Sequence, residues 1–320
     1  MQRLPALDAL RFLAALVVVV SHIGVPFFSA ERGAVPSLPQ QLVMFFFNGP
    51  AAVMVFFIIS GFCIHLPFVG ERPLELRAFY LRRVLRLVLP LALWLPVALV
   101  LKERSLSLAA LWSLWAELIY YALYPALRLA VRRVGWGIVY GAALAIALAI
   151  LVFSPVREGI PGYGPTLSWA LGLPVWLLGV RLAEQWSMRR LFALELGELW
   201  GVRLALALAG WGAAALHWKQ VPDGLTLNAF AWLAAYWLGQ ELLRAQKYPF
   251  PAWLVAAGAW SYSLYLTHIG VGWSLVILLN LHPPFASALA LTAALGFAWL
   301  YGRFVEAPAH ALARRASAVK

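Results

Sequence analysis

Ten runs of about 18 or more mainly apolar residues follow one another along the chain, at 5–25, 41–66, 84–101, 107–127, 135–153, 164–183, 201–217, 225–243, 253–279 and 285–305. A helix of that length crosses the hydrocarbon core of a bilayer, where every backbone polar group must be satisfied within the protein. The expected fold is therefore an all-α polytopic membrane protein: a single bundle of about ten transmembrane helices filling residues 1–320, with no attached soluble domain. Only 12% of the residues are charged and 63% are hydrophobic, whereas about a quarter of a soluble domain is charged. The third and fourth runs, parted only by Lys102, Glu103 and Arg104, are the pair most open to being one bent hairpin.

The net charge of +12 invites a nucleic-acid reading until the basic residues are placed. With the N-terminus cytoplasmic, Arg32, Lys102, Arg104, Arg157 and Lys219 fall on the far side and Arg11 falls within the first run, while the other 19 basic residues fall inside. That bias follows the positive-inside rule, supports ten spans with both termini in the cytoplasm, and leaves no excess charge needing a nucleic acid. A cleavable signal peptide is disfavoured, because charges interrupt the first run and Phe28 stands where a small residue is expected. The lone Cys63 excludes an intrachain disulfide.

Ionisable groups at membrane depth cost about 2.5 to 3.5 kcal/mol on insertion scales, so those that persist point to function. The first run (LPALDALRFLAALVVVVSHIGV) carries Asp8, Arg11 and His22. Arg11 and His22 are eleven residues apart, close to three helical turns, so they leave one face roughly 16 Å apart along the axis. Asp8 shares that face and can pair with Arg11. A neutral imidazole can take a proton from a hydroxyl, which makes His22 a candidate general base, against the alternative of a hydrogen bond to a neighbouring helix.

Glu117 is the acidic residue nearest the middle of an apolar run, placed to orient His22, to act as a second acid or base, or simply to pair with a buried base. Ser261, Tyr265 and His268 lie at helical spacings of four and three, as a hydrogen-bonded packing cluster or as substrate contacts. His65 lies near the end of the second run, and His217, His282 and His310 at ends or in loops. Arg77, Arg82, Arg83 and Arg86 precede the third run; Arg83 and Arg86 are neighbours on a helix and could grip a phosphate, although a topogenic flank also explains them. No metal-ligand spacing and no G-x-S-x-G elbow occurs. Ser60–Gly61 reads as a close helix contact through the glycine.

Six segments, in order, resemble the acyltransferase-3 family of integral-membrane O-acyltransferases: LDALRFLAALVVVVSHIG, FFIISGF, RRVLRLVLP, LWSLWAELIYYALYP, WSYSLYLTH and FVEAP. The family's penultimate motif usually has Trp where Thr267 stands. The resemblance implies transfer of an acyl group, commonly acetyl, from cytosolic acyl-coenzyme A to a hydroxyl of a carbohydrate, glycoconjugate or secondary-metabolite acceptor. It also implies a multi-pass protein of the bacterial inner membrane with a role in envelope polysaccharide modification. On the matching positions Arg11 and His22 take the arginine–histidine motif, and Arg83 and Arg86 the paired-arginine motif of the donor side, helped by Arg82 and Arg77.

No permanently bound cofactor is expected; acyl-CoA enters as a co-substrate. Direct transfer is favoured over an acyl-enzyme relay, since no activated cysteine or serine is offered, with acyl-histidine on His22 as the alternative. A transporter or flippase of a glycan-lipid or anionic solute is the rival class. It predicts inverted repeats with paired broken helices, and none is found.

Overall fold

The computed structural model describes residues 4–25, 37–70, 72–100, 111–155, 159–279 and 285–318. His282 and the basic residues Arg3, Arg32, Lys102, Arg104, Arg157 and Lys320 lie outside them, as does the start of the fourth expected run. The described residues form thirteen α-helices and no strand: α1 (Pro5–Ile23), α2 (Leu38–Phe46), α3 (Gly49–His65), α4 (Leu76–Val100), α5 (Trp112–Val134), α6 (Trp136–Phe153), α7 (Gly164–Ser187), α8 (Leu196–Trp218), α9 (Asp223–Lys247), α10 (Ala252–Ala257), α11 (Ser261–Leu278), α12 (Phe285–Tyr301) and α13 (Ala307–Ala318).

Among the described residues, eight helical segments are long and apolar enough to cross a membrane. The two expected spans missing from that set correspond to α5 and α9, whose 23 and 25 residues reach across a bilayer but are less apolar along their length, with charged side chains among them. In α9 one of these charges is accounted for internally: Glu241, 4% exposed at its side chain, takes a two-pronged pairing from Arg203 of α8 at 2.6 and 2.9 Å and the Trp237 indole N–H at 2.9 Å. Large apolar side chains face outward in rows, as at Trp200, Leu204 and Leu208 one turn apart on α8, a pattern that lipid accommodates and water does not.

Three expected runs are broken, each for a local reason. The second divides at Asn48, whose Oδ1 accepts the Ala51 N–H at 3.0 Å and starts α3, with Pro50 in the first turn. The ninth divides into α10, a 3₁₀ turn at Gly258–Trp260 and α11. The tenth passes through a π-helical segment at Gly302–Glu306 into α13.

The chain divides into two compact units, interleaved in sequence: residues 53–76 and 110–249 make the body of the first, and 7–52, 77–109 and 250–320 the second. In the first unit α7 is the hub, packed on α5, α6 and α9. A Cβ on Gly61 of α3 would lie 2.1 Å from the Trp176 carbonyl oxygen, and one on Gly179 of α7 would lie 2.0 Å from that of Ile58. These two backbones therefore touch at a glycine on each side, as expected for Gly61.

In the second unit α11 and α12 pack along their lengths. The Tyr262 and Tyr301 hydroxyls dock α4 by donating to the Leu87 and Pro90 carbonyls at 2.8 and 2.7 Å. Gly258 lies against the Asp8 backbone of α1, leaving no room for a Cβ, and Trp260 takes the edge of Phe12 at 5.0 Å.

Candidate active site

Helix α1 carries both Arg11 and His22, as their spacing predicts. Arg11 donates from Nη1 to Asp8 Oδ1 at 3.2 Å, both side chains being mostly buried. At the other end of α1, His22 Nδ1 lies 2.9 Å from Nε2 of His268 on α11. The rings are near-parallel, with centroids 5.1 Å apart. His268 is 1% exposed, whereas His22 is an exposed residue.

The hydrogen bonds of His268 fix both tautomers. Its Nδ1 faces the carbonyl oxygens of Tyr265 at 2.8 Å and Leu264 at 3.1 Å. A carbonyl only accepts, so Nδ1 carries the hydrogen and Nε2 of neutral His268 keeps a lone pair. That lone pair accepts the Nδ1–H of His22, and the free lone pair of His22 is then at Nε2, on the accessible ring. A base oriented through its far nitrogen by a second, buried group is the arrangement of a catalytic dyad.

Ser261 and Tyr265, expected beside His268, are buried with it: Ser261 donates to the Gly258 carbonyl at 2.9 Å, and Tyr265 supplies the carbonyl that holds the His268 ring. The neighbouring Ser263 has a more consequential partner. Glu306, 2% exposed in the π-helical segment, accepts the Ser263 N–H at 3.0 Å and the Ser263 hydroxyl at 2.6 Å. Ser263 is the third residue of α11, so this carboxylate from another element caps one of the unpaired N–H groups at the start of the helix that bears His268. Glu306 lies within electrostatic reach of Arg11 and Arg86.

The basic cluster lies on α4, which begins earlier than the apolar run and so takes all four arginines into one helix. Arg77 and Arg82 are exposed; Arg82 Nε donates to the Ala78 carbonyl at 3.1 Å, and the Arg83 guanidinium lies 5.9 Å from the centre of the Phe79 ring. Arg86 is half-buried and, with Arg11, faces the Glu306 and His310 pair.

Glu117 belongs to the first unit, and its carboxylate is engaged there. Its Oε1 accepts the Ser60 hydroxyl at 2.7 Å and a short hydrogen bond from the Tyr121 hydroxyl, and the Trp176 indole N–H approaches Ser60 Oγ at 3.3 Å. The Tyr121 contact was legible as a spacing of four. The partnership of His22 with His268, and that of Glu306 with Ser263, span the chain and leave no local signal. Among the described residues no three His, Cys, Asp or Glu side chains converge as a metal site.

A polytopic helical membrane protein with an exposed imidazole oriented by a second, buried histidine, and with a helix that carries four arginines, is the class defined by fold and site. The model of the acyltransferase-3 family, described as an acyltransferase domain, matches residues 4–303, and the chain belongs to that family. It is accordingly a membrane acyltransferase acting on groups other than aminoacyl groups. It is 28% identical over 319 residues to the acyltransferase MdmB of Streptomyces mycarofaciens, with 84% of this chain and 79% of that protein covered. No solved structure matches the chain significantly.

Proposed function

We propose that the protein is an O-acyltransferase that moves an acyl group, most readily acetyl, from acyl-CoA to a hydroxyl of a carbohydrate, glycoconjugate or secondary-metabolite acceptor in the bacterial inner membrane, with His22 as general base. The observation that carries the reading is the His22–His268 pair, which leaves the Nε2 lone pair of an accessible imidazole ready for a proton. In the step envisaged, the acceptor hydroxyl gives its proton to His22 Nε2 as its oxygen attacks the thioester carbonyl. The new C–O bond forms, the C–S bond breaks, and the imidazolium returns the proton to the departing thiolate. His268 keeps the Nδ1–H of the imidazolium hydrogen-bonded throughout, so the charged ring is not left with an unpaired donor.

Arg83 and Arg86, assisted by Arg82 and Arg77, would hold the phosphates of coenzyme A. Arg11 would contact the donor or remain with Asp8. The test is acetyl-CoA binding and thiol release by the purified protein in lipid nanodiscs. His22→Ala should bind donor but lose thiol release by about 10²- to 10⁴-fold, and Arg83→Ala/Arg86→Ala should lose binding. Wild-type protein that neither binds nor turns over any short acyl-CoA would remove the basis of the donor assignment.

A further inference from the structure

The first unit holds a cavity of about 430 Å³ that the proposed chemistry does not use. It lies where α3, α5 and α7 end, and its size is that of a small-molecule site. Its deep wall is formed by Tyr124, Trp176 and Val180, all buried, and its mouth by Arg128 and the exposed Arg132. Three helix C-termini and their terminal carbonyls would by themselves favour a cation here. Part of the arginines' role is to answer those carbonyls: Arg128 Nη2 donates to the Phe68, Gly70 and Arg72 carbonyls at 2.9, 3.2 and 2.6 Å, and Arg132 Nη2 makes a short bond to that of Gly70.

The clamp commits one nitrogen of each guanidinium. Nε and Nη1 of both arginines make no hydrogen bond among the described residues, and neither side chain has a carboxylate partner there. The carboxylate lining the same cavity, Glu184, is already matched by Arg181 at 3.0 Å and His65 at 3.5 Å, and His65 Nδ1 is held by the Tyr124 hydroxyl at 3.0 Å. Two guanidiniums one turn apart, fixed by backbone carbonyls and, for Arg128, by the Phe68 ring at 5.8 Å, repel each other unless an anion lies between them. A fixed pair with unused N–H edges is also preorganised for a tetrahedral oxyanion.

We propose that this cavity binds a phosphate-bearing small molecule, its phosphate on Arg128 and Arg132 and its aromatic or apolar body against Tyr124, Trp176 and Val180. Two sources supply that chemistry: the nucleotide end of a soluble cofactor, or the headgroup of an anionic phospholipid. The cavity is lined by residues of the first unit alone, so the proposal uses none of the residues proposed to hold the donor and does not depend on the assignment of Arg83 and Arg86.

The full-length protein in phosphatidylcholine nanodiscs is titrated calorimetrically with adenosine 3′,5′-bisphosphate. In parallel, phosphatidylglycerol retained by the detergent-purified protein is measured by native mass spectrometry. Two variants are compared with wild type: Arg132→Gln, which removes a mouth charge at an exposed position, and Val131→Phe, which fills the cavity and keeps both arginines. Loss of about tenfold in affinity for one of the two probes in both variants, with that probe still bound by Arg83→Ala/Arg86→Ala, is expected and identifies the source. Unfolding temperatures show which variants are folded; if Val131→Phe is not, Arg132→Gln carries the comparison alone. The proposal is overturned if wild type binds neither probe, or if the folded cavity variants bind both as wild type does.

Discussion

His268 never meets solvent, yet it decides which nitrogen of His22 can act as a base. Replacing it by Ala leaves the His22 Nδ1–H without its acceptor and lets the ring adopt either tautomer. On the proposed mechanism, His268→Ala is expected to lower the kcat for thiol release by about 10- to 100-fold, with the KM for acyl-CoA unchanged because the arginines proposed to hold the donor are untouched. His268→Gln, which can offer an amide oxygen to the same N–H, should recover part of the loss. A KM rise with kcat intact would assign His268 to binding instead. The helical face shared by Arg11 and His22 was readable from their spacing, since 3.6 residues per turn is a local property. The dyad was not, because its members are separated by 246 positions and only packing joins them.

At the scale of the element, two contacts set where helices stand. Gly61 and Gly179 let α3 and α7 meet backbone to backbone, so a Cβ at either must displace main chain. Gly61→Ala is expected to cost about 1 to 3 kcal/mol, read as a lower unfolding temperature in detergent, while Gly137→Ala, with open space around it, serves as the neutral control. Glu306 acts at the start of α11. Glu306→Ala removes the cap on Ser263 at a cost of about 0.5 to 2 kcal/mol and should lower kcat with it, whereas Glu306→Gln keeps an acceptor oxygen for the Ser263 N–H and should retain most of both. Equal loss in the two variants would show that charge, not the cap, is what matters. FVEAP marked the place in the sequence without revealing its reason, because the π-helical segment that aims Glu306 inward changes no hydropathy. The breaks at Asn48 and at Gly258–Trp260 were hidden likewise: apolar residues continue across both, so a bilayer-length run reads as one helix.

At the scale of the whole molecule, the number of crossings fixes the side of the membrane on which specific loops lie. If α5 and α9 both span, the chain crosses ten times; if neither does, it crosses eight, and the termini share a side in both cases. Terminal reporters therefore cannot separate the two. The segment between α7 and α8 can, because omitting α5 reverses every side after it until α9 restores the parity. With ten spans and a cytoplasmic N-terminus, Arg190 is cytoplasmic and Lys219 is on the far side; with eight, the two exchange places. The ten-span arrangement puts Arg181, Arg189, Arg190 and Arg203 together on the inside, in accord with the positive-inside rule, and the eight-span one puts them outside. The internal pairing of Glu241 with Arg203 favours ten, since it lowers the cost of α9 in lipid. In a Cys63→Ala background, Lys219→Cys is expected to react with a membrane-impermeant maleimide on intact cells, and Arg190→Cys only on inverted membrane vesicles. The reverse pattern would mean that α5 and α9 do not cross, and that the side from which the α7–α8 segment is reached is opposite to that implied by its charge.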